Sequence, residues 1–102
     1  MIRVSVLYPN SSGAKFDFEY YCTRHMPLVR QLLGSALKGL AVDQGIGTPD
    51  SPALYIGSCH LLFDSVQAFE SAFGPHEAAL VADIPNFTNT EPAIQISEIR
   101  KG

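Results

Sequence analysis

The sequence predicts an α+β fold: a four-stranded antiparallel sheet with helices on one face, built in the order βαββαβ. Three observations carry this. An alternating apolar run opens the chain, with Ile2, Val4, Val6 and Tyr8 on one face. A long helical stripe follows, and after two further strand-like segments a second helical pattern leads into a last strand.

Each element has its own local reason. Pro9-Asn10-Ser11-Ser12-Gly13 is turn chemistry after the first strand. Residues 15–33 form the first helix, ended by Gly34. Pro27 cannot donate to the carbonyl of Thr23, so a kink or break is expected directly after His25, leaving a backbone acceptor loose beside it. Residues 37–46 and 54–63 read as the second and third strands, joined by the stiff loop Gly47-Thr48-Pro49-Asp50-Ser51-Pro52. Asp64-Ser65 caps the next helix, which shows Val66, Phe69 and Phe73 at helical spacing. Gly74-Pro75 stops it, and Pro75 begins a short helix to about residue 82. Residues 83–89 are a loop and residues 92–99 the fourth strand. This is a ferredoxin-like arrangement in one domain spanning residues 1–102.

Composition narrows the function classes. Apolar residues make up 46% of the chain and there are ten aromatics, which favours a compact globule. The net charge of −3 comes from scattered residues with no basic run, which argues against nucleic acid as a partner. No apolar stretch approaches the roughly 20 residues of a membrane span, and the N-terminus shows no secretory pattern, so a cytoplasmic location is expected. In that compartment Cys22 and Cys59 are expected as reduced thiols.

Both alternating sets of the third strand are apolar, Ile56 and Leu62 on one side, Tyr55, Leu61 and Phe63 on the other. With helices on one face only, an identical subunit packed sheet to sheet is the economical cover for the second.

The chemistry candidates centre on the helical stripe. Phe18, Tyr21, Cys22, His25, Val29 and Leu32 fall within roughly 100° of one another, with His25 near the middle. An imidazole aimed into an apolar interior is either satisfied by a partner or kept for chemistry. His25 is therefore read as a general base or acid, against a structural role donating to a freed carbonyl or a tyrosine. Tyr21, one turn earlier, could fix its tautomer or hold a substrate oxygen, and Tyr8 and Phe18 could line the same space. Tyr20 points away from the stripe. Asp83 either orients His25 or caps its own loop; Phe87 forms an apolar wall or a core anchor. His60 joins either the interface or the pocket according to its sheet face, and His76 opens a helix after Pro75. No two histidines have ligand-like spacing and no Cys-x-x-Cys occurs, so no metal is expected.

Phe16-Asp17-x-x-Tyr20-Tyr21-x-x-x-His25-Met26-Pro27-Leu28, followed by Ala82-Asp83-Ile84-Pro85-Asn86-Phe87-Thr88, resembles the EthD family of the dimeric α/β-barrel superfamily. The resemblance implies a homodimer through the open sheet faces and a helix–sheet cleft in each subunit. It points to His25, Tyr21 and Asp83 as the positions to watch. His76 departs from the acidic or small residue more usual there. Related proteins include cofactor-independent monooxygenases, lactone isomerases and polyketide cyclases, and some bind haem.

Two functions follow as expectations. The first is an enzyme without a tightly held cofactor, acting on a small apolar oxygen-bearing molecule. In it His25 moves a proton, Tyr21 and Tyr8 polarise an oxygen, and Phe87 excludes water. The second is a ligand-binding or accessory protein of a degradation pathway. Haem ligation by His25 is a third, tested by a Soret band.

Overall fold

The computed structural model describes residues 1–102. Four strands, β1 (Ile2–Pro9), β2 (Gly39–Gln44), β3 (Tyr55–Phe63) and β4 (Ala93–Glu98), form one antiparallel sheet in the order β2-β3-β1-β4. The two central strands are the most apolar ones, as burial on the helix side requires. The ferredoxin-like architecture expected from the sequence is the one observed, with β1 running one residue further, to Pro9, and the other three strands shorter by one or two residues at their ends.

The helical layer begins with α1 (Phe18–Tyr20), capped by Asp17, whose carboxylate accepts the Tyr20 N–H at 3.0 Å. It continues without a break through a π turn (Tyr21–His25) into α2 (Met26–Leu33). The Met26 N–H bonds back to the Tyr21 carbonyl, five residues earlier. Pro27, lacking an N–H, sits at the start of α2 where the ladder has already been offset. The predicted kink is thus expressed as a widened turn instead of a break. Gly34, with φ of +60°, ends the helix.

The wide turn also changes which residues face inward. Tyr21, His25, Met26, Val29 and Leu33 are buried, whereas Cys22 is exposed and Leu32 only half-buried. The extra residue in the turn displaces Cys22 from the predicted stripe. Cys22 and Cys59 are both free thiols, the first exposed and the second buried.

Ser65 caps α3 (Val66–Phe73) by accepting the Ala68 N–H at 3.0 Å. A 3₁₀ turn at Gly74–His76 leads to α4 (Glu77–Asp83), and a second at Ile84–Asn86 follows it. Two chain segments far apart in sequence are then stitched together. The Asp17 N–H donates to the Phe87 carbonyl at 2.7 Å, Thr88 Oγ1 to the Lys15 carbonyl at 2.7 Å, and the Lys15 N–H to Asn89 Oδ1 at 2.9 Å. Each such bond contributes about 0.5–1.5 kcal/mol net.

On the helix side, Val4, Cys59, Leu61 and Phe63 are buried against Met26, Val29, Leu33, Phe69 and Leu80. Gly57 belongs to the same face, and a Cβ there would meet Phe18 at 3.1 Å and Phe16 at 3.2 Å. Its missing side chain lets those rings lie on the sheet.

The second face is more polar than β3 alone suggested. Register pairs Ser5 with His60 and Gln95, Arg3 with Leu62 and Ser97, and Leu7 with Ser58. Apolar Leu7, Ile56 and Leu62 are therefore interleaved with hydroxyls and charges contributed by the flanking strands.

Candidate functional site

The π turn assembles the site. In an α-helix, residues four apart are offset by about 40° around the axis. The widened turn brings Tyr21 and His25 closer to eclipse, and their rings stack 5.4 Å apart at an interplanar angle of 13°. Phe87 packs against both, 4.7 Å from each ring centre, and Tyr8 and Phe16 close an aromatic cluster around Tyr21.

His25 is 5% exposed, and its Nδ1 lies 2.8 Å from Asp83 Oδ2. The other carboxylate oxygen accepts from Tyr20 Oη at 2.7 Å and from Asn86 Nδ2 at 2.9 Å. Desolvation pushes the Asp83 carboxyl upward, but donation from Asn86, His25 and Tyr20 outweighs it and holds the group below the usual aspartate range. An ionised carboxylate only accepts, so Nδ1 carries the proton that it receives. In the neutral ring, Nε2 is then the basic nitrogen, and it has no protein partner. Donation to Asp83 in turn pushes the Tyr20 phenol up from its ordinary value.

Next to the ring lies a cavity of about 100 Å³ between helices and sheet. Tyr8, Tyr21 and His25 line it together with Met26, Val29, Leu33, Cys59, Leu61, Leu80 and Ile94, so its surface is almost wholly apolar. Its rim is formed where α4 and β4 part. Val81 and Ile94 both line the cavity and are 52% and 56% exposed. Burial raises the Tyr21 and Tyr8 hydroxyls far above their ordinary values and pushes the Cys59 thiol up to about 11. All three stay protonated near neutrality. Tyr21 Oη has Tyr8 and Cys59 as neighbours, yet neither meets it at hydrogen-bond geometry, so it is a buried hydroxyl without a partner. Such a group costs about 1–3 kcal/mol.

The structure brings His25, Tyr21, Asp83 and Tyr8 together. Phe87 buttresses His25 and Tyr21 but does not line the cavity, and Phe18 packs on Phe16, at a ring distance of 4.4 Å, outside it. His60 lies on the opposite sheet face, where its Nδ1 is 2.8 Å from Ser5 Oγ and its Nε2 3.5 Å from Asp43. His76 sits half-buried ahead of α4 and does not reach the cavity. Neither histidine can serve the His25 site from these positions. The loose carbonyl expected to hold His25 is not its partner; Asp83 is.

Sequence reasoning missed Tyr20 and Asn86. Asn86 had a legible signal, since residues three apart in a 3₁₀ turn are eclipsed and Asp83-Ile84-Pro85-Asn86 is such a turn. Tyr20 had none without knowledge of the π turn. No group of three or more His, Cys, Asp or Glu side chains is close enough to hold a metal ion.

No curated protein matches the chain. Among solved structures, an EthD-like protein from Ralstonia eutropha JMP134 is 39% identical, with a TM-score of 0.92. The alignment covers 98% of this chain and 92% of that one. An EthD family protein from Bacillus halodurans C-125 is 21% identical over 97% of this chain and 98% of that one, TM-score 0.76. HapK from Hahella chejuensis shares the fold at 14% identity and TM-score 0.62, over 100% of this chain and 96% of that one. The EthD domain matches residues 12–91, which include the π turn, the His25–Asp83 pair and the stitched segments on either side of them. The chain belongs to the EthD family.

Proposed function

We propose that this protein is an enzyme that transfers a proton within a small, apolar, oxygen-bearing molecule held in the helix–sheet cavity. His25 acts as general base and then acid, and Asp83 is a positioning residue that fixes its tautomer. The observation that carries this is a histidine with one nitrogen bound to a carboxylate at 2.8 Å and the other unpartnered, on the wall of a cavity of about 100 Å³. The reaction type is that of a cofactor-independent oxygenase, isomerase or cyclase, each of which begins by removing a proton.

The balance of the step is simple. A C–H or O–H bond of the substrate breaks, Nε2 gains the proton, and the charge left on the substrate is delocalised onto its oxygen. The imidazolium is stabilised by Asp83 and returns the proton later in the cycle. One histidine base contributes about 10²–10⁴-fold. His25→Asn should lower turnover by that factor while leaving the folded structure intact by circular dichroism, and full activity in that variant would exclude the role. Recovery of bound ligand chemically unchanged after incubation would instead favour the ligand-binding or accessory reading, which the apolar lining also supports.

The working unit is proposed to be a homodimer formed through the open sheet face, where Leu7, Ile56 and Leu62 would be covered. A reducing, cytoplasmic setting suits the two unpaired thiols.

A further inference from the structure

We infer that Tyr8, and not Tyr21, is the oxygen anchor of this cavity, and that its ligand is a compact ketone or similar carbonyl compound of about five or six heavy atoms bearing a hydrogen on the adjacent carbon. The inference rests on the proton-transfer reading above and adds the substrate class and a second ligand-contacting residue.

Three observations lead there. Tyr8 and Tyr21 both line the cavity with their hydroxyls as neighbours, and Tyr21 Oη is left without a hydrogen-bond partner. They differ in access. Tyr21 Oη is sealed, whereas Tyr8 Oη is not, although the residue as a whole is only 2% exposed. A ligand can therefore meet the Tyr8 hydroxyl directly, with the Tyr21 ring packed behind it. His25 also lines the wall; its Nδ1 is committed to Asp83, and Nε2 carries no protein hydrogen bond. Tyr8 and His25 are held by the same two rings: Tyr21, at 5.9 and 5.4 Å, and Phe87, at 5.7 and 4.7 Å.

The wall thus presents one donor and one base amid apolar surface. A donor that keeps its proton matches a carbonyl oxygen that becomes an enolate; a base nearby matches the hydrogen on the adjacent carbon. A carboxylate or phosphate finds no cation on the wall. The space suits a compact ligand: an apolar cavity of about 150 Å³ holds benzene, and this one measures about 100 Å³. Entry is from the rim between Val81 and Ile94, which is itself apolar.

The test uses cyclopentanone and its shape-matched hydrocarbon methylenecyclopentane as probes, followed by amide chemical-shift titration of wild type and Tyr8→Phe. Both probes should bind wild type. Tyr8→Phe should weaken cyclopentanone roughly five-fold and leave methylenecyclopentane unchanged. In heavy water, wild type should exchange the hydrogens next to the cyclopentanone carbonyl for deuterium, and His25→Asn should slow this at least about a hundred-fold. If both probes bind but Tyr8→Phe affects them equally, the anchor assignment is overturned while the cavity reading stands. If neither binds, the cavity reading fails and the inference falls with it. Binding of cyclopentanone with no exchange above the buffer rate would overturn the assignment of an enolisable substrate.

Discussion

The two faces of the sheet carry nearly the same chemical inventory and use it differently. On the helix side, His25 meets Asp83 at 2.8 Å in an environment 5% exposed, with its second nitrogen free beside an apolar cavity. On the open side, His60 spans Ser5 and Asp43, but its side chain is 29% exposed and that of Asp43 is 66% exposed. A serine, a histidine and an aspartate in a row would suggest hydrolytic chemistry from residue types alone. Context decides otherwise. Ser5 lies mid-strand, both His60 nitrogens face protein groups, and neither residue lines the cavity beside His25. An unpartnered nitrogen and an adjoining apolar cavity distinguish His25 from the bonded, more exposed His60.

Substitutions can break or sharpen this contrast. The largest expected effect on folding comes from the ring that supports the enclosed histidine. Phe87 is 3% exposed and touches four other rings and His25, so Phe87→Ala should cost about 3–5 kcal/mol in chemical denaturation. A loss below about 1 kcal/mol would mean that the aromatic cluster is not a packed unit. Next comes pH. The raised Cys59 thiol and the raised Tyr8 and Tyr21 phenols give the folded state protons that the unfolded chain releases first. Their contribution is complete below about pH 8.5, the ordinary thiol value, and should decline as pH climbs through about 11. Asp83 works in the opposite sense. Its lowered value means that its contribution is present above about pH 4 and lost as pH falls below that range. Denaturation midpoints against pH check both limbs, and Cys59→Ala should flatten the alkaline one. The smallest effect belongs to the open face. His60→Asn should change stability by less than about 1 kcal/mol in the monomer and leave turnover unaltered.

The fold was legible because its signals are local. Alternation in residues 2–8, the Ser65 cap and the Gly34 and Gly74-Pro75 stops each read correctly without neighbours. The site was legible only in part. His25 and Asp83 were visible as an inward imidazole and a lone acid in an apolar stretch. The π turn that aligns them arises from an offset hydrogen-bond ladder, which ordinary helical periodicity cannot express. Cys22 was misplaced inward for that reason, and Tyr20, judged peripheral, became a donor to Asp83. The open face was judged from β3 alone, yet its polarity comes from Arg3, Ser5, Asp43 and Gln95 on neighbouring strands, and only register reveals that.

The central claim is that Asp83 holds the proton of His25 on Nδ1 and leaves Nε2 free toward the cavity. Long-range nitrogen–proton correlation spectra of the neutral ring measure this directly. The account predicts a protonated Nδ1 and an unprotonated Nε2 in wild type, with that preference lost in Asp83→Asn. A wild-type ring carrying its proton on Nε2 would contradict it.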